Sequence, residues 1–397
     1  MMSEWKKVSV SDLGRIVTGK TPKTAISEYY GGCIPFLTPS DDMSVKYVLS
    51  TSKTITEDGK NSVKNAVIPK NSICVSCIGS DLGKVVITTK ETVTNQQINS
   101  VIVNTELYDV DFVYYAMVIL GKVLNYHSKT STAVPIVNKS TFSQYEILCP
   151  VLSEQRKIAR ILSEIDSKIA INTAINEKLE QQAQAILKEY MDKYHYTLMP
   201  LSIIAEVIDC LHSKKPERVN DSNRQLLQLE NIKDNGFLDL SYQFMISESD
   251  YNNWTRKCEI HEGDCVITNV GRIGAVAQAP RDTNVAMGRN MTCIRLKPKY
   301  RIPSFLITIL LSEHMKREIR YNTDEGTIMG ALNVKNIPKL QFPFFEENVF
   351  YELESLLSPI RKQFEENSLQ NQRLAALRDT LLPKLMNGEI DVSAVKI

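Results

Sequence analysis

The sequence has little that would mark a membrane or secreted protein. Its longest apolar runs, Phe112 to Leu120 and Phe305 to Leu311, are too short to span a bilayer. Residues 1–7 lack the apolar core of a signal peptide. The eight cysteines are scattered along the chain, which is typical of reduced thiols rather than of a disulfide framework. We therefore expect a cytoplasmic protein that makes no membrane contact.

The chain also lacks an excess of charge of either sign. It has 47 lysines and arginines against 46 aspartates and glutamates, so the net charge is +1. Such a balance gives no global electrostatic attraction to nucleic acid. Any binding of DNA must therefore depend on local groups of residues or on partner subunits.

Catalytic motifs are missing as well. The five histidines are dispersed, and neither HExxH nor GxSxG occurs. The Asn/Asp-Pro-Pro-aromatic motif typical of methyl transfer to a DNA amino group is absent too. One CxxC pair, Cys74 and Cys77, lies on a predicted strand that places the two thiols on opposite faces, and no second ligand pair accompanies it. We predict no catalytic residue, metal site or cofactor in this chain.

One segment matches the P-loop pattern formally. Residues 14–21 read GRIVTGKT, but Pro22 stands where the phosphate-binding helix should begin. The corresponding stretch of the second half, residues 209–216, keeps lysine and proline without the glycines. A basic loop that touches a phosphate backbone is therefore favoured over a nucleotide site. A nucleotide-using enzyme stays open as an alternative.

The most informative pattern is a heptad series written twice, 195 residues apart. Both copies alternate steps of four and three and carry two asparagines at matching places, which predicts the seam of a coiled coil on two long helices. The first copy is Ile158, Leu162, Ile165, Ile169, Asn172, Asn176 and Leu179. The second copy is Leu353, Leu357, Ile360, Phe364, Asn367, Asn371 and Leu374.

The asparagines set the expected register of this seam. A polar residue in an apolar seam costs stability but fixes how two helices align. Antiparallel pairing about the middle of the first copy would place Asn172 against Asn371 and Asn176 against Asn367. The first helix, from about Glu154 to Tyr190, would be about 55 Å long. Equivalent groove faces of DNA recur roughly every 34–36 Å, so a rigid spacer of this size suits a protein that reads two half-sites.

Shared landmarks outside the heptads indicate a duplicated plan. Each half has a Lys-x-Pro or Lys-Pro element, a strand-like run that ends in a pair of glycines, a short apolar helix and a proline before the long helix. We predict an α+β fold with a pseudo-two-fold internal repeat, in which two similar β-rich domains are joined and spaced by two long antiparallel helices. The predicted segments are a first mixed domain (1–150), a central spacer helix (151–199), a second mixed domain (200–345), and a C-terminal helix with a tail (346–397). This last helix is expected to be interrupted or to end around Pro383, with a cap near Gly388.

Residues suited to contact DNA lie on matched loops of the two domains. Asparagine and glutamine can pair with adenine, arginine with guanine, and lysine with phosphate. Asn269 and Arg272 flank a glycine on an expected exposed turn, which matches the turn at Gly79. The candidate set is Lys20, Gly79, Ser80, Asn95, Gln96, Gln97, Lys214, Lys215, Asn269, Arg272, Arg289 and Asn290.

Several stretches resemble a known family, the specificity subunit of type I restriction–modification systems. Residues 150–158 (PVLSEQRKI) resemble its central conserved region, and residues 374–390 resemble its C-terminal signature. Residues 19–22 and 34–37 resemble stretches near the start of its first recognition domain. One departure is visible, since Asn348 stands where the first half has Gln155.

The resemblance implies two target-recognition domains, each reading half of a split, asymmetric site in double-stranded DNA, with the helices setting the unread gap. It also implies two methylation subunits that hold S-adenosylmethionine and flip an adenine. Restriction and translocation subunits that use ATP and Mg²⁺ would join them. The chain itself would direct methylation or cleavage and catalyse neither.

An interaction protein of another class fits the same pattern. A coiled-coil scaffold could join two protein-binding domains without reading DNA. A split footprint with an unprotected middle on DNA would favour the specificity subunit, and absent or sequence-independent binding would favour the scaffold.

Overall fold

The computed structural model describes residues 5–129, 136–324 and 330–395. The chain folds as two compact units, one formed by Met1–Lys168 with Leu374–Ile397 and the other by Ile169–Arg373. Both long helices therefore contribute one part to each unit. Within the described part of the chain, no helix is both long and apolar enough to cross a membrane.

The elements up to the first long helix form most of the first unit. In chain order they are β1 (Lys6–Ser9), β2 (Gly14–Thr18), β3 (Tyr30–Leu37), β4 (Tyr47–Val48), β5 (Lys53–Ile55), α1 (Glu57–Asn61), β6 (Val67–Ile68), β7 (Ile73–Ser76), β8 (Val85–Thr88), β9 (Thr92–Thr94), β10 (Ile98–Val103), α2 (Val110–Lys129), α3 (Lys139–Gln144), β11 (Glu146–Cys149) and α4 (Leu152–Lys193).

The remaining elements belong to the second unit until α8 returns to the first. They are β12 (Thr197–Pro200), β13 (Ala205–Asp209), β14 (Arg224–Gln225), β15 (Met245–Ile246), α5 (Glu248–Trp254), β16 (Glu259–His261), β17 (Cys265–Thr268), β18 (Val276–Gln278), β19 (Asn284–Ala286), β20 (Met291–Leu296), α6 (Pro303–Leu311), α7 (Glu313–Tyr321), β21 (Thr323–Asp324), β22 (Ala331–Leu332), β23 (Gln341–Phe344) and α8 (Glu347–Met386).

Both units are built on one frame. The first has a sheet in the order β2-β10-β7-β8-β4, and the second has a sheet in the order β13-β20-β17-β18. A separate antiparallel pair stands before each long helix, β1 with β11 and β12 with β23. The first unit adds a second sheet, β5-β3-β9-β6, and the second unit adds small two-stranded pairs. Frame elements begin 191–195 residues apart in the two halves, so the predicted internal repeat is confirmed.

Strand β7 shows why these sheets are buried on both faces. Ile73 and Val75 point into the core under helix α2, together with Phe112. Cys74 points the other way, into a smaller core that it shares with Val86. Because side chains alternate along a strand, a continuous apolar run fills two cores at once.

The long helices run antiparallel in each unit. In the first, Ile158 and Leu162 of α4 share a core with Leu382 and Leu385 of α8. In the second, Leu187 of α4 shares a core with residues from the start of α8, such as Leu353 and Leu357. The start of α4 thus packs against the end of α8, and the end of α4 packs against the start of α8. The predicted α+β class with two long antiparallel helices is confirmed.

The end of α8 differs from the expected interruption at Pro383. The helix continues through this proline to Met386, and Asn387 N donates to Pro383 O at 3.1 Å. Proline costs one backbone hydrogen bond in a helix, but Leu382 and Leu385 beside it are buried in the first core, which holds the last turn in place. Gly388 follows with φ of 78°, a left-handed residue typical of a helix C-cap.

The start of α8 corrects one alignment. Helix α4 begins at Leu152 and α8 begins at Glu347, which is the 195-residue offset of the heptads. This offset pairs Gln155 with Phe350, not with Asn348 as the sequence comparison had it. The two prolines are not equivalent, because Pro150 follows β11 whereas Pro343 lies within β23.

Candidate nucleic-acid interface and helix seam

In the first unit, the turn between β9 and β10 meets the end of β2. Lys20 follows β2, and its backbone N donates to Thr94 O at 2.8 Å. Gly19 packs so closely there that a Cβ on it would overlap the carbonyl oxygen of Asn95. This approach brings Lys20 beside residues 95–97, although they are far apart in the sequence.

Side-chain hydrogen bonds hold the same group of residues together. Thr21 Oγ1 donates to Gln96 Oε1 at 2.7 Å, and Asn95 Nδ2 donates to Gln97 Oε1 at 2.9 Å. Gln96 and Lys20 are exposed. The structure therefore assembles four of the predicted contact residues into one polar surface with a positive charge at its edge.

The loop after β7 adjoins this surface. Cys77 N donates to Gln97 O at 2.8 Å. This hydrogen bond brings Gly79 and Ser80, which follow Cys77 in the loop, near residues 95–97. Gly79 has φ of 68°, a conformation that favours glycine. Ser80 lies in the same short turn, and its side chain is outside the described set.

A cavity beside Lys20 adds residues that the sequence did not single out. It has a volume of about 490 Å³ and is lined by Thr21, Tyr30 and Lys53, among others. Tyr30 Oη donates to Pro22 O at 2.8 Å, and Lys53 is exposed. The antiparallel pairing of β3 with β5 brings these residues here, and no local motif signals such a pairing.

In the second unit, Asn269 corrects the expectation of an exposed turn residue. It is 7% exposed, and its Nδ2 donates to Leu332 O at 3.1 Å. Its Oδ1 accepts from Thr292 Oγ1 at 2.9 Å. With both ends of the amide bonded inside the fold, Asn269 serves to fix the hairpin rather than to present a group to a ligand.

Arg272 is likewise engaged within the fold. Its Nη1 donates to Ile232 O at 2.6 Å, and its Nη2 pairs with Asp234. The side chain is still partly exposed. The guanidinium thus ties the β17–β18 hairpin to the neighbouring loop, an interaction that depends on residues about 40 positions away and left no mark in the local sequence.

Arg289 and Asn290 are exposed at the turn that enters β20. Asn290 has φ of 64°, and its carbonyl oxygen accepts from Asn269 N at 2.8 Å. Before them, Gly288 leaves no room for a Cβ, which would overlap Leu227 O. The buried Asn269 therefore positions the turn on which the two exposed residues stand.

Lys214 and Lys215 lie on the exposed loop that follows β13. Lys215 Nζ stands 4.3 Å from the centre of the Phe244 ring, a cation–π contact. Among the described residues, no hydrogen bond or ion pair joins them to Arg289. They remain candidate phosphate contacts on their own loop.

Asp209, Cys210 and His212 are a group of potential metal ligands at the end of β13. His212 Nε2 lies 2.8 Å from Asp209 Oδ2, and its Nδ1 lies 4.0 Å from Cys210 Sγ. The two ring nitrogens thus face different neighbours. One ligand atom from each of the three residues lies within 4.8 Å of the other two, and a hydrogen bond already accounts for the contact between Asp209 and His212.

The cysteines of the CxxC pair are buried in separate cores, as their alternation predicts. Burial raises the pKa of Cys74 to about 12 and also raises the pKa of Cys77. Ser100 Oγ donates to Cys74 Sγ, and Asn99 Nδ2 donates to Cys77 Sγ. Both thiols stay protonated at neutral pH, which does not suit a nucleophile.

The P-loop match does not form a phosphate cradle. Residues 14–18 are strand β2, paired with β10. The next residues run on without a helix until the single 3-10 turn at Ser27–Tyr29. A P-loop needs its last residues to open a helix whose N–H groups face the phosphates, and that element is missing from this described segment.

The seam asparagines meet in the pairs that the heptads give. Asn172 Nδ2 donates to Asn371 Oδ1 at 2.9 Å, and Asn367 Nδ2 donates to Asn176 Oδ1 at 2.9 Å. Asn172, Asn176 and Asn367 are buried. The side chains therefore form two facing polar layers in the second unit.

Charged pairs flank these layers. In the second unit, Arg361 Nη1 lies 2.6 Å from Glu180 Oε2. In the first unit, Arg378 Nη1 lies 2.9 Å from Asp166 Oδ1, and Tyr115 Oη donates to Asp166 Oδ2 at 2.5 Å. Burial, reinforced by Asp166, raises the pKa of Tyr115 well above its ordinary value. The hydroxyl therefore stays a donor to this carboxylate.

Lys46 joins the first of these clusters from the sheet. Its side chain is 8% exposed and forms an ion pair with Asp111 at 2.9 Å. Its Nζ also donates to Ser163 Oγ of α4 at 2.8 Å. A buried lysine that spans a loop, α2 and α4 fixes the five-stranded sheet of the first unit on its part of the long helix.

Comparisons with known proteins agree with this architecture. Residues 2–181 match the family model for the type I restriction modification DNA specificity domain. The HindI specificity subunit of Haemophilus influenzae is 34% identical over 194 residues, 47% of this chain and 41% of that protein. The MjaIX specificity subunit of Methanocaldococcus jannaschii is 24% identical over 98% of this chain and 94% of that protein.

A solved structure shares the fold over nearly the whole chain. It is the S subunit of a type I restriction-modification system from M. genitalium, with a TM-score of 0.57 and 17% sequence identity. The match covers 97% of this chain and 96% of that one. The chain therefore has the fold of that S subunit, and its residues 2–181 are similar to the type I restriction modification DNA specificity domain.

Proposed function

We propose that this chain is the non-catalytic subunit that gives a type I restriction–modification complex its DNA sequence specificity. Each unit would read one half of an asymmetric, bipartite site in double-stranded DNA. The observation that carries this proposal is the duplicated frame, on which equivalent loops hold different polar residues. Two copies of one scaffold with different loops suit the reading of two different half-sites.

In the first unit, the proposed reading surface consists of Lys20, Gly79 and residues 95–97. Gln96 offers an amide that can pair with adenine, and Lys20 offers a phosphate contact. Asn95 holds the turn, since both ends of its amide are bonded to Gln97. The hydrogen bonds among residues 21 and 95–97 reduce the freedom these side chains lose on binding.

In the second unit, the proposed reading surface centres on Arg289 and Asn290. Lys214 and Lys215 would contact phosphates from their own loop. Asn269 and Arg272 act by holding the loops in place, since both are bonded within the fold. The two surfaces thus offer different hydrogen-bonding groups, which fits an asymmetric site.

The helices support a role as spacer and as docking surface. Helix α4 has 42 residues without a break, and α8 has 40. Ile171 and Ile175 of α4 are 55% and 41% exposed and lie one turn apart on the same helix face. We infer that this apolar pair contacts one of two methylation subunits, which would supply S-adenosylmethionine. Restriction subunits with ATP and Mg²⁺ would complete the complex.

Mapping methylated adenines tests this function directly. Cells expressing the chain with its methylation partner should carry methylated adenines within a motif of two defined segments separated by an undefined gap. The paired change Lys20→Ala and Gln96→Ala should relax the sequence of one segment and leave the other intact. Lys122→Ala, an exposed lysine on α2, is the matched control and should leave both segments unchanged.

Two outcomes would contradict the proposal. Methylation that follows no bipartite motif would remove the role in specificity and favour a scaffold. Loss of both segments in the paired variant would contradict independent reading by the two units. Insertion of seven residues into each long helix should lengthen the gap, and an unchanged gap would remove the spacer role.

A further inference from the structure

The seam carries opposite charges at equivalent positions of its two helices. Asp166 of α4 and Arg361 of α8 are 195 residues apart, which is the offset of the repeat. Each has a partner on the other helix within its own unit. Asp166 pairs with Arg378, and Arg361 pairs with Glu180. Within these pairs, α4 therefore supplies both carboxylates and α8 supplies both guanidinium groups.

This arrangement distinguishes the pairing of unlike helices from the pairing of like ones. If α4 packed on α4 of a second copy in the same register, Glu180 would meet Asp166 where it now meets Arg361. If α8 packed on a second α8, Arg378 would meet Arg361 where it now meets Asp166. Like charges held close together in a partly buried seam are strongly destabilising.

The asparagine layers cannot make this distinction. The same repeat offset would set Asn172 against Asn176 in a pair of α4 helices, and Asn367 against Asn371 in a pair of α8 helices. Either pairing would thus keep facing amides, which can hydrogen-bond in any of the three combinations. The asparagines allow the same register in the α4–α8, α4–α4 and α8–α8 pairings. Selection among these three pairings therefore has to come from the charges.

Helices α2 and α6 each carry a side chain that suits the charged seam residue it contacts. Tyr115 of α2 and Thr308 of α6 stand at equivalent places, counted from the starts of their helices. Tyr115 Oη donates to Asp166, whereas Thr308 Oγ1 accepts from Arg361 Nη2 at 3.1 Å. Arg361 is 8% exposed, so its charge depends on these partners rather than on water.

We propose that the Asp166–Arg378 and Glu180–Arg361 pairs make α4 select α8 of the same chain and reject the equivalent helix of a second copy. The charged pairs thus determine which helix is the partner, and the asparagines determine the register in which the two helices align. A chain with two similar halves gains a barrier against joining two first halves or two second halves.

Charge reversal in full-length chains tests this directly. The variant Arg361→Glu with Arg378→Glu makes both helices acidic at these sites, and Asp166→Arg with Glu180→Arg makes both basic. Each should unfold at a temperature about 10 °C or more below that of the original chain. The fourfold variant, which restores opposite charges with the helices exchanged, should recover at least half of that loss.

Mixing the variants tests partner choice. Equimolar acidic and basic chains, purified together after co-expression, should form a 1:1 complex by native mass spectrometry and sedimentation, because their seams complement each other only between chains. The original chain and the fourfold variant should stay monomeric at the same concentration. Replacement of the exposed Lys178 and Lys362 by glutamate is the matched control. It should change neither the unfolding temperature nor the oligomeric state.

The outcomes separate clearly. If the acidic variant alone keeps the original unfolding temperature, or if no complex forms on co-expression, the charges do not select the partner. If the acidic chain folds poorly alone but is recovered with the basic chain, the proposal stands. No DNA enters these measurements, so they do not depend on the proposed function.

Discussion

The two units fasten their sheets to the long helices by different means at the same place. In the first unit, the buried Gln155 accepts from Asp109 N at 2.9 Å and donates to Pro150 O at 2.9 Å. In the second unit, the equivalent residue is Phe350, which packs edge-on against Phe305 and Phe345, with ring centres 5.0 and 5.7 Å apart.

The difference shows that both units need a contact at this point of the long helix, which we call the joint, but that its chemistry can differ. A glutamine amide satisfies backbone groups where the chain turns from β11 into α4, and an aromatic cluster fills the same space by packing. The second unit then satisfies the start of α6 through another residue, since Glu354 accepts from Ser304 N and Phe305 N. Polar and apolar joints fail by different mechanisms, which allows separate tests.

The chain offers a built-in reporter for each unit. Of its two tryptophans, Trp5 lies in the first unit and Trp254 is buried in the second. Replacing either with phenylalanine leaves fluorescence that follows one unit alone.

The largest expected effect is that of Phe350→Ala. Removing this ring from the aromatic cluster leaves a cavity and should lower the free energy of unfolding of the second unit by about 3–5 kcal/mol. Urea denaturation followed by Trp254 measures it. Tyr351→Ala, which is exposed on the same helix, is the control and should cost under about 0.5 kcal/mol. Equal losses for the two variants would mean that the cluster is not the joint.

Asn269→Ala should come next. It removes the donor to Leu332 O and the acceptor for Thr292, leaving buried groups unpaired at a cost of about 2–3 kcal/mol. The same Trp254 signal reports the loss. Asn290→Gly is a matched control, because φ of 64° suits glycine. A stable Asn269→Ala chain with altered DNA specificity would instead make Asn269 a contact residue.

Gln155→Ala should lower the stability of the first unit by about 2 kcal/mol, since Asp109 N and Pro150 O lose their partner inside the fold. Trp5 fluorescence during urea denaturation reports this loss. Arg156→Ala alters an exposed neighbour on α4 and should change the midpoint little. A midpoint that shifts only for Arg156→Ala would show that the glutamine bonds do not hold the joint.

The smallest effect concerns pH. Burial raises the pKa of Glu354 above its ordinary value of 4.5, although its hydrogen bonds from Ser304 and Phe305 oppose the shift. The folded chain then binds this proton more tightly than the unfolded chain does. Its contribution to stability is therefore complete below about pH 4.5 and is lost as the pH rises through the raised value.

Comparison with Glu354→Gln isolates this contribution. The stability of the original chain relative to the variant should fall by under about 1 kcal/mol between pH 4 and pH 7. Parallel pH profiles of the two chains would show that Glu354 titrates alike in both states.

Local patterns predicted the seam, and distant contacts decided the loops. The heptads give Asn172 and Asn371 as a pair because helical period and repeat offset are both written in the sequence. The burial of Asn269 depends on Leu332, 63 residues away, and no local signal reports such a partner. For the same reason, the sequence marked the landmarks of both domains but misaligned Gln155 with Asn348.

Two glycines set a limit on how the proposed reading surfaces can be redesigned. Gly19 and Gly288 each let a strand end approach a carbonyl oxygen where a side chain has no room. The neighbours Lys20, Gln96 and Arg289 are exposed and free of that constraint, whereas Asn290 has φ of 64°. A library that seeks new target sequences can vary the first three positions widely and should limit Asn290 to residues that tolerate a positive φ. It should hold both glycines constant, because a methyl group there would push the loops apart.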